Sequence, residues 1–446
     1  MLKNYLLICF RNVIRNGATS FVNIFGLAVG VAATVTAFIF ADQFFHTDDF
    51  HSKRDRIYEI TTVVDAGEKL TTLSETPFLL AQMLKSEAAG IEDVTRFKLR
   101  SGALRYESNV FNESFYFVDN SFFHVFDFPF IEGTAEVLRS SKHIVFTKKM
   151  AEKYFSTESA LDRPVSIKFG NGTIREFTVG AVIDPPTNNT MFFDFLLPME
   201  VHDMVFSKDV QTWHETCHAT FILLKAGHTI DELAPLMGKY KALQNQALPE
   251  WKAEEFKFYT FTELSTRSYT IEDGVVGSGQ PQGVYALITI AVMLLILACF
   301  NYMNISLATI TTRLKEIGIR KVIGARKKEI MQQFVAENFL LCLLATVVGL
   351  FISYFLFIPW LDGLTASDIP FSFSSAVNLI LFFSLLLTFI VLVSGLYPAV
   401  YISRFQSIVI LKGKEKFGQK SKISQVLLTA QFMLAFTTIV GCLVYI

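Results

Sequence analysis

The chain has 446 residues, of which 51% are hydrophobic and 18% are charged, and its mean hydropathy is +0.40. Soluble domains usually carry about a quarter charged residues, so this composition favours a membrane protein, and the 45 phenylalanines also suit contact with lipid. The net charge of −1 excludes a globally basic nucleic-acid-binding protein.

The chain begins with an amphipathic pattern and a long apolar run. Within residues 1–20, apolar side chains recur at helical spacing, with Lys3 and Arg11 on the opposite side. Residues 21–40 contain no Asp, Glu, Lys or Arg, and about 20 apolar helical residues can cross a hydrocarbon core. The run is longer than the apolar region of a cleaved signal peptide. We therefore predict a surface helix over 1–20 followed by a first transmembrane helix over 21–40.

Residues 41–283 have the texture of a mixed α/β domain. Helical periodicity and capping residues predict helices over 75–86, 148–155 and 229–243. Alternating or β-branched runs predict strands over 112–119, 143–147, 177–183 and 219–224, with a turn at 185–189. Cys217 is the only cysteine in this region, so we expect no internal disulfide, and a domain of this size needs none.

A near-match to a zinc-peptidase motif lies within this domain. His214-Glu215-Thr216-Cys217-His218 fits the pattern H-E-x-x-H, which requires a helix so that both imidazoles reach one metal. The residues that follow it are those of a strand. On a strand the two histidines would lie about 13 Å apart, so we predict no metal site here.

Four more apolar runs follow the α/β domain. They cover 284–310, 334–358, 376–402 and 423–446, and each is long enough to span a membrane. Only the second contains a charged residue, Glu337, which is followed by Asn338. A buried acid in a membrane is a candidate for proton transfer. Near the end of a span, however, Glu337 can reach the interface or pair with a nearby lysine.

The segment 311–333 carries both an apolar stripe and many cations. Ile319, Ile323, Ile330 and Phe334 recur at helical spacing, while most of the basic residues lie off this stripe. Gly318 could interrupt the helix, as could a second glycine at 324. The pattern fits two alternatives equally: a helix lying on anionic lipid, or a lever contacted by a cytoplasmic protein.

A second near-match lies in the basic segment 403–422. Gly413–Ser421 resembles a phosphate-binding P-loop, but Gln419 stands where G-x-x-x-x-G-K-[ST] requires a lysine, and no strand precedes it. We interpret 403–422 as a basic loop beside the membrane and identify no nucleotide site in the chain.

The charges separate between the two sides of the predicted spans. Residues 1–20, 311–333 and 403–422 together hold sixteen Lys and Arg but three Asp and Glu. Cytoplasmic loops are enriched in Lys and Arg. We therefore expect these three segments inside the cell, residues 41–283 and 359–375 outside, and the amino terminus in the cytoplasm.

Three sequence segments carry a family resemblance. Lys315–Ala325 (KEIGIRKVIGA) and Asn4–Gly30 are similar to the signature after the second span and to the amino-terminal pattern of the MacB/FtsX-type ABC-transporter permeases. Tyr397-Pro398-Ala399, Ser403 and Leu411-Lys412-Gly413 resemble the segment after the fourth span. Residues 118–133 and 144–155 also resemble the family's periplasmic core domain. The details point to the large permeases of Bacteroidetes-like bacteria.

The apolar runs and the residue patterns predict an α-helical membrane protein with five transmembrane helices and a mixed α/β extracytoplasmic domain, and the resemblance implies that it lies in a bacterial inner membrane. It implies a permease that hydrolyses nothing itself and moves its outer domain for export or efflux of a substrate. A separate cytoplasmic ATPase would bind ATP and contact 311–333. The implied coupling residues are Lys315, Glu316, Gly318, Arg320, Lys321, Gly324 and Ala325.

Further partners implied by the family are the lipid bilayer, a second permease half and a periplasmic or outer-membrane protein. The last run, 423–446, starts as a second copy of the repeat would, so we expect the amino-terminal half of a longer permease; a natural five-span protein is the alternative. The rival functions are a sensory receptor with an outer ligand domain and, resting on His214, Glu215 and His218, a membrane metallopeptidase.

Overall fold

The computed structural model describes residues 17–65, 67, 69–206, 212–277, 279–324, 326–365, 376–404 and 422–445. The chain divides into two compact units. One comprises Met1–Phe44 with Gln282–Ile446, and the other comprises Phe45–Pro281. We call them the helical unit and the outer domain.

The helical unit consists of long apolar helices. Its helices are α1 (Gly17–Phe45), α8 (Pro281–Val322), α9 (Lys327–Ile352), α10 (Ile358–Thr365), α11 (Ala376–Arg404) and α12 (Lys422–Tyr445), with a π-helical turn at Ser353–Phe357 between α9 and α10. Three described stretches are long and apolar enough to cross a membrane, namely Gly17–Phe45, Pro281–Thr309 and Lys327–Leu364. Three of the five predicted spans, 21–40, 284–310 and 334–358, lie within them to within one residue. α11 and α12 contribute shorter apolar stretches, Ile380–Gly395 and Gln425–Gly441.

Polar side chains connect these helices at buried and half-buried positions. The hydroxyls of Thr36 on α1 and Ser353 lie 2.9 Å apart. Asn304 on α8 donates through Nδ2 to Oε1 of Gln431 on α12 at 3.0 Å. Hydrogen bonds of this kind hold helices together where the hydrophobic effect cannot, because lipid is as apolar as the helix surfaces.

The outer domain contains a large mixed sheet. Its strands are β1 (Ile57–Asp65), β2 (Leu70–Leu73), β3 (Thr76–Pro77), β4 (Ile91–Tyr106), β5 (Asn109–Val118), β6 (Phe130–Gly133), β7 (His143–Thr147), β8 (Pro164–Phe169), β9 (Ile174–Ile183), β10 (Phe195–Pro198), β11 (Thr216–Cys217), β12 (Ala219–Leu224), β13 (Ala253–Thr260) and β14 (Ile271–Glu272). Its helices are α2 (Phe78–Glu87), α3 (Phe122–Val125), α4 (Lys148–Phe155), α5 (Met199–Phe206), α6 (Ala234–Ala247) and α7 (Phe261–Arg267).

Two parts of the sheet have different shapes. Strands β4, β5, β10, β7, β9 and β8 pair in this order, and β8 pairs back to β4, so these six strands form a closed circuit. Beyond β4 the sheet continues openly through β12, β1, β2 and β14, with β13 also paired to β1. Helices α2 and α6 cover the open part with Leu80, Leu84, Met237 and Tyr240.

Phenylalanine rings fill much of the outer-domain core. Phe97 lies edge-to-face against Phe122 and Phe221, with ring centroids 5.5 Å apart in each pair. Inside the closed circuit, Phe146 lies 4.7 Å from Phe195. Such edge-to-face pairs add stabilisation beyond the area they bury. The high phenylalanine content therefore serves the core of the outer domain as well as the apolar spans.

The local predictions for this domain agree with the structure where side-chain alternation and helix caps coincide. β7, α4 and β12 occupy 143–147, 148–155 and 219–224, as expected. The helix expected over 75–86 begins instead at Phe78. Pro77 stays extended (φ −60°, ψ 139°) and pairs with Thr216 in a short ladder, so the predicted start was wrong. The helix expected over 229–243 begins as a 3-10 turn, and its α-helical part is α6.

Candidate functional site

The segment 311–333 forms the turn of a helical hairpin. α8 is 42 residues long and continues through the predicted span to Val322, so Gly318 lies inside a helix and does not interrupt it. The chain reverses at Ile323 and Gly324, and α9 begins at Lys327. Gly324 has φ +106°, a backbone conformation that residues with a Cβ rarely adopt. The helix is therefore interrupted at Gly324 and not at Gly318.

The structure places six of the seven implied coupling residues on this hairpin. Five of them lie on the last turns of α8, and Gly324 lies in the reversal. The five are Lys315, Glu316, Gly318, Arg320 and Lys321. Ala325 lies outside the described residues.

The apolar stripe of this segment divides into an exposed part and a buried part. Ile319, Val322 and Ile323 are 50%, 63% and 80% exposed, and they share one face at i, i+3, i+4 spacing. Ile330, on α9, is buried. The expected stripe is thus not one continuous packed face, because its first half is accessible at the hairpin tip.

Charged residues follow the exposed apolar residues in the chain. Arg326, Lys327 and Lys328 are exposed at the start of α9, and Glu329 caps this helix by accepting from the backbone N of Arg326 at 3.0 Å. Arg320 donates through Nη1 to Oε1 of Gln333 at 2.6 Å, joining the two arms of the hairpin. The tip combines an accessible apolar surface with several cations, which is the composition of a protein-binding or lipid-binding surface.

The polar residues near the start of the third predicted span have different environments. Asn338 is buried; its Nδ2 donates to the backbone O of Val391 at 3.1 Å, and its Oδ1 accepts from Ser394 at 3.4 Å. Glu337 is half-buried on the same helix. The sequence drew attention to the acid, whereas the structure gives the neighbouring amide the role of joining α9 to α11.

The H-E-x-x-H residues are not helical. His214 lies in a turn, and Glu215 forms ion pairs with Lys98 at 3.3 Å and Arg100 at 3.2 Å. Nδ1 of His218 accepts from the backbone N of Leu99 at 3.3 Å. Burial, followed by the nearby Lys98 charge, lowers the pKa of His218. The glutamate and the second histidine are thus engaged by the protein itself.

Several buried ionisable groups in the outer domain have perturbed pKa values. Burial raises the pKa of Asp48 to about 6 and that of Glu59 to about 7, although each accepts hydrogen bonds. Burial lowers the pKa of His51 to about 4. Their partners are distant in sequence: Thr190 bonds Asp48, and the backbone N of Asp127 donates to His51. No pattern in the sequence indicates such pairs.

A cavity of about 720 Å³ lies on the outer domain. Its charged lining residues pair with one another or with an adjacent acid. Arg96 contacts Asp119 through two nitrogens, at 2.6 and 2.9 Å, and Lys85 contacts Asp93 at 2.6 Å. The lining therefore presents no excess charge that would define the chemistry of a ligand.

Two motif-bearing regions fall outside the described residues. They are the amino-terminal residues 1–16, which carry most of the predicted surface helix, and residues 405–421, which contain the P-loop-like sequence. Of the Tyr397-Pro398-Ala399 motif, Pro398 lies within α11 and Ala399 is buried.

Comparison with known proteins gives matches over both units. The profile of the MacB-like periplasmic core domain matches residues 20–239, and that of the FtsX-like permease C-terminal region matches residues 288–407. The Escherichia coli macrolide export ATP-binding/permease protein MacB is 38% identical over 89 residues, which are 18% of this chain and 14% of that protein. The Bordetella avium protein of the same name is 45% identical over 64 residues, 14% of this chain and 10% of that protein.

A solved structure also matches the chain in part. A domain of a putative permease protein from Porphyromonas gingivalis matches 47% of this chain and 91% of its own length, with 17% sequence identity and a TM-score of 0.39. The chain thus covers most of that domain but only a small part of the curated MacB proteins.

Proposed function

Because the chain belongs to the MacB/FtsX-type family of ABC-transporter permeases, we propose that it couples ATP hydrolysis by a separate cytoplasmic ATPase to movement of its outer domain. The movement exports or releases a substrate outside the membrane. The permease itself hydrolyses nothing, and the ATP is bound by its partner. The substitution of Gln419 for the P-loop lysine supports this division of labour.

The observation that carries the proposal is the tip of the α8–α9 hairpin. Ile319, Val322 and Ile323 form an accessible apolar face beside exposed Lys327 and Lys328. An apolar centre with a charged rim is the usual composition of a protein–protein interface. We assign this face as the ATPase contact, and we propose that the seven coupling residues of this segment act together with it.

The proposed topology has five spans with the amino terminus in the cytoplasm and the chain in the bacterial cytoplasmic membrane. Support comes from the basic residues concentrated in 1–20, 311–333 and 403–422. In this arrangement the hairpin tip faces the cytoplasm and the outer domain lies outside. A second permease half and a periplasmic or outer-membrane protein are further proposed partners.

The apolar face is tested with Ile323→Ser in the full chain, assembled with its partner ATPase. Burying one such side chain contributes roughly 1.5–3 kcal/mol, so association should weaken by roughly ten- to a hundredfold. Stimulated ATP hydrolysis should fall in parallel. The matched control is Ile174→Ser, since Ile174 is 63% exposed on the outer domain and should not affect either quantity.

The cations are tested separately by reversing Lys327 and Lys328 to Glu. Each exposed ion pair is worth up to about 1 kcal/mol, so the double reversal should weaken ATPase association further at low salt. Arg320 is less suitable, because its reversal would also break the bond to Gln333. If Ile323→Ser and the double reversal both leave association and stimulation unchanged, the hairpin tip is a lipid-surface element and the ATPase contact lies elsewhere.

A further inference from the structure

A groove on the outer domain adjoins the last strand of its large sheet. β6 pairs with β9, and no other described strand pairs with β6, so its second edge carries no strand in the described part of the chain. A cavity of about 620 Å³ lies at β6 and is lined by residues of both β6 and α4. We call it the β6 groove. An unpaired strand edge is a template for pairing with another chain, so the groove is a candidate docking surface.

A bulge in β6 exposes an apolar side chain in this groove. Phe130 pairs with Ile183 and Glu132 pairs with Val182, so Ile131 is an extra residue without a partner on β9. A bulge leaves the extra residue unpaired and re-aims its side chain. Ile131 is accordingly 50% exposed, and it lines the groove.

The floor of the β6 groove is apolar. Val182 and Ala160 are 3% and 2% exposed, and Ala151 of α4 is half-buried. All three line the groove together with Ile131. Covering this lining with one further apolar side chain removes apolar surface from water on both partners, which is favourable.

Two carboxylates of the lining have no cationic partner among the described residues. Glu132 lies opposite Val182 and therefore on the same face of the sheet; its Oε2 accepts from the backbone N of Leu161 at 3.0 Å. Glu152 is exposed on α4, and no described side chain pairs with it. The two elements that line the groove thus each contribute one carboxylate whose charge is not neutralised.

The other charged residues of the lining are neutralised by neighbours. Nζ of Lys148 contacts Oδ2 of Asp184 at 3.2 Å, and Glu158 contacts Nη2 of Arg163 at 2.5 Å. The groove therefore carries an excess of negative charge. Burying an unpaired carboxylate is costly, so an occupant that covers the apolar floor must also bring cations to the two free carboxylates.

We propose that the β6 groove binds an extended segment of another protein, which pairs with the open edge of β6 and carries an apolar side chain between two basic ones. Alternate residues of a strand share one face, so the pattern is basic-x-apolar-x-basic. The apolar side chain covers Ile131 and the floor, and the cations contact Glu132 and Glu152. Strand addition to an open edge is a known mode of peptide recognition. Because the groove lies wholly within the outer domain, the inference goes beyond the proposed function and does not rest on it.

The test measures binding of a fluorescent peptide, KTVTK, to the full chain in a non-ionic detergent by fluorescence anisotropy, without ATPase or nucleotide. KTVTK should bind, and ETVTE, in which acids replace the cations, should not. KTTTK replaces the central valine with an isosteric threonine. It should bind about tenfold more weakly, because it has no apolar side chain to bury on the floor.

Substitutions of the two free carboxylates test the charges. Glu152→Gln should weaken binding of KTVTK by about fivefold, as expected for the loss of one exposed ion pair. Glu132→Gln keeps an acceptor for the backbone N of Leu161, and the double variant should weaken binding by about twenty-five-fold. Glu200→Gln is the matched control, because Glu200 is exposed on α5 and does not line the groove. It should leave binding unchanged.

Hydrogen exchange followed by mass spectrometry tests where the peptide lies. Bound KTVTK should slow the exchange of backbone amides in 130–133, because strand pairing engages the open edge of β6. The double variant should lose this protection at the same peptide concentration.

The proposal would be overturned if KTVTK did not bind, if the wild type and the double variant bound it equally, or if binding gave no protection of 130–133. Dimerisation of the chain that is abolished by Glu152→Gln would assign the groove to a second copy of this chain and would also overturn it. Because the ATPase is absent, these outcomes are independent of whether the hairpin tip binds it. Failure of the proposed function would appear only in the association experiment.

Discussion

Glu59 is a carboxyl group on a central strand of the outer domain, 1% exposed and bonded to the hydroxyl of Ser74. Its pKa is raised to about 7 by burial, from an ordinary value of 4.5. Between these two pH values the folded protein binds more protons at this site than the unfolded chain does. The contribution of Glu59 to stability must therefore fall as the pH rises from about 4.5 to about 7.

Glu59→Gln should remove this pH dependence. Relative to wild type, the variant should be more stable above pH 7, by on the order of 3 kcal/mol, and should lose this advantage as the pH falls to about 4.5. Unfolding can be followed by the fluorescence of Trp213 and Trp251, which both lie in the outer domain. Glu152→Gln, at an exposed position, is the control and should show no such trend. A constant difference between wild type and Glu59→Gln across this pH range would contradict the burial argument.

Residues that act through distant partners could not be predicted from the sequence. Asp48 and Thr190 are 142 positions apart, and neither belongs to a motif. The sequence drew attention to Glu337 because an acid near a span is rare, but the bonds that join two helices belong to Asn338. What the sequence could predict was that His214–His218 is not helical, because the strand pattern after these residues is a local signal.

At the scale of the element, substitutions of Gly324 test why the α8–α9 hairpin turns at this residue. An added Cβ at this position would meet nothing within 4 Å, so the side chain has room but the backbone conformation does not suit it. Gly324→Ala and Gly324→Leu should therefore cost nearly the same, about 1–2 kcal/mol, as expected for backbone strain. Thermal unfolding of the full chain measures the cost.

From the sequence alone, Gly324 was expected to interrupt the helix, for the general reason that glycine is a poor helix former. The structure replaces this reason with the positive φ angle. If the leucine variant were much less stable than the alanine variant, close packing would be the correct explanation after all.

Gly349 differs from Gly324, because an added Cβ at Gly349 would collide with a neighbouring helix. A Cβ there would lie 2.7 Å from Cγ1 of Val31 and 2.8 Å from the carbonyl O of Ala28, both on α1. Gly349→Ala should thus separate α9 from α1 and destabilise the helical unit by about 1–3 kcal/mol. Gly441 on α12 is the matched control, because an added Cβ meets nothing within 4 Å there and alanine is the better helix former. The assay is thermal unfolding in detergent, and equal melting temperatures for both variants would disprove the close contact.

Elements were predictable where the local signals agreed. β7 and α4 follow each other without a break, and Thr147 caps α4 by accepting from the backbone N of Met150 at 3.4 Å. The start of α2 was not predictable in this way, because Pro77 suits the first turn of a helix. A ladder with β11, 139 positions away, holds it extended instead.

At the scale of the whole molecule, the composition predicted the class of protein but did not predict where its phenylalanines lie. The low charge content and the apolar runs predicted a membrane protein, and helices of sufficient length are present. The phenylalanines were ascribed to lipid contact, yet many form the core of the outer domain. Composition counts residues without locating them, so only the pairing of strands could reveal the closed six-stranded circuit.

The central claim is that the hairpin tip faces an ATPase in the cytoplasm while the outer domain lies on the other side of the membrane. Single cysteines at Thr157 and at Gln332 in a cysteine-free background test it directly, since both positions are exposed. A membrane-impermeant thiol reagent should label Thr157→Cys in intact cells whose outer membrane has been made permeable. It should label Gln332→Cys only after the inner membrane is opened. The reverse pattern would contradict the topology and, with it, the assignment of the α8–α9 hairpin as the ATPase contact.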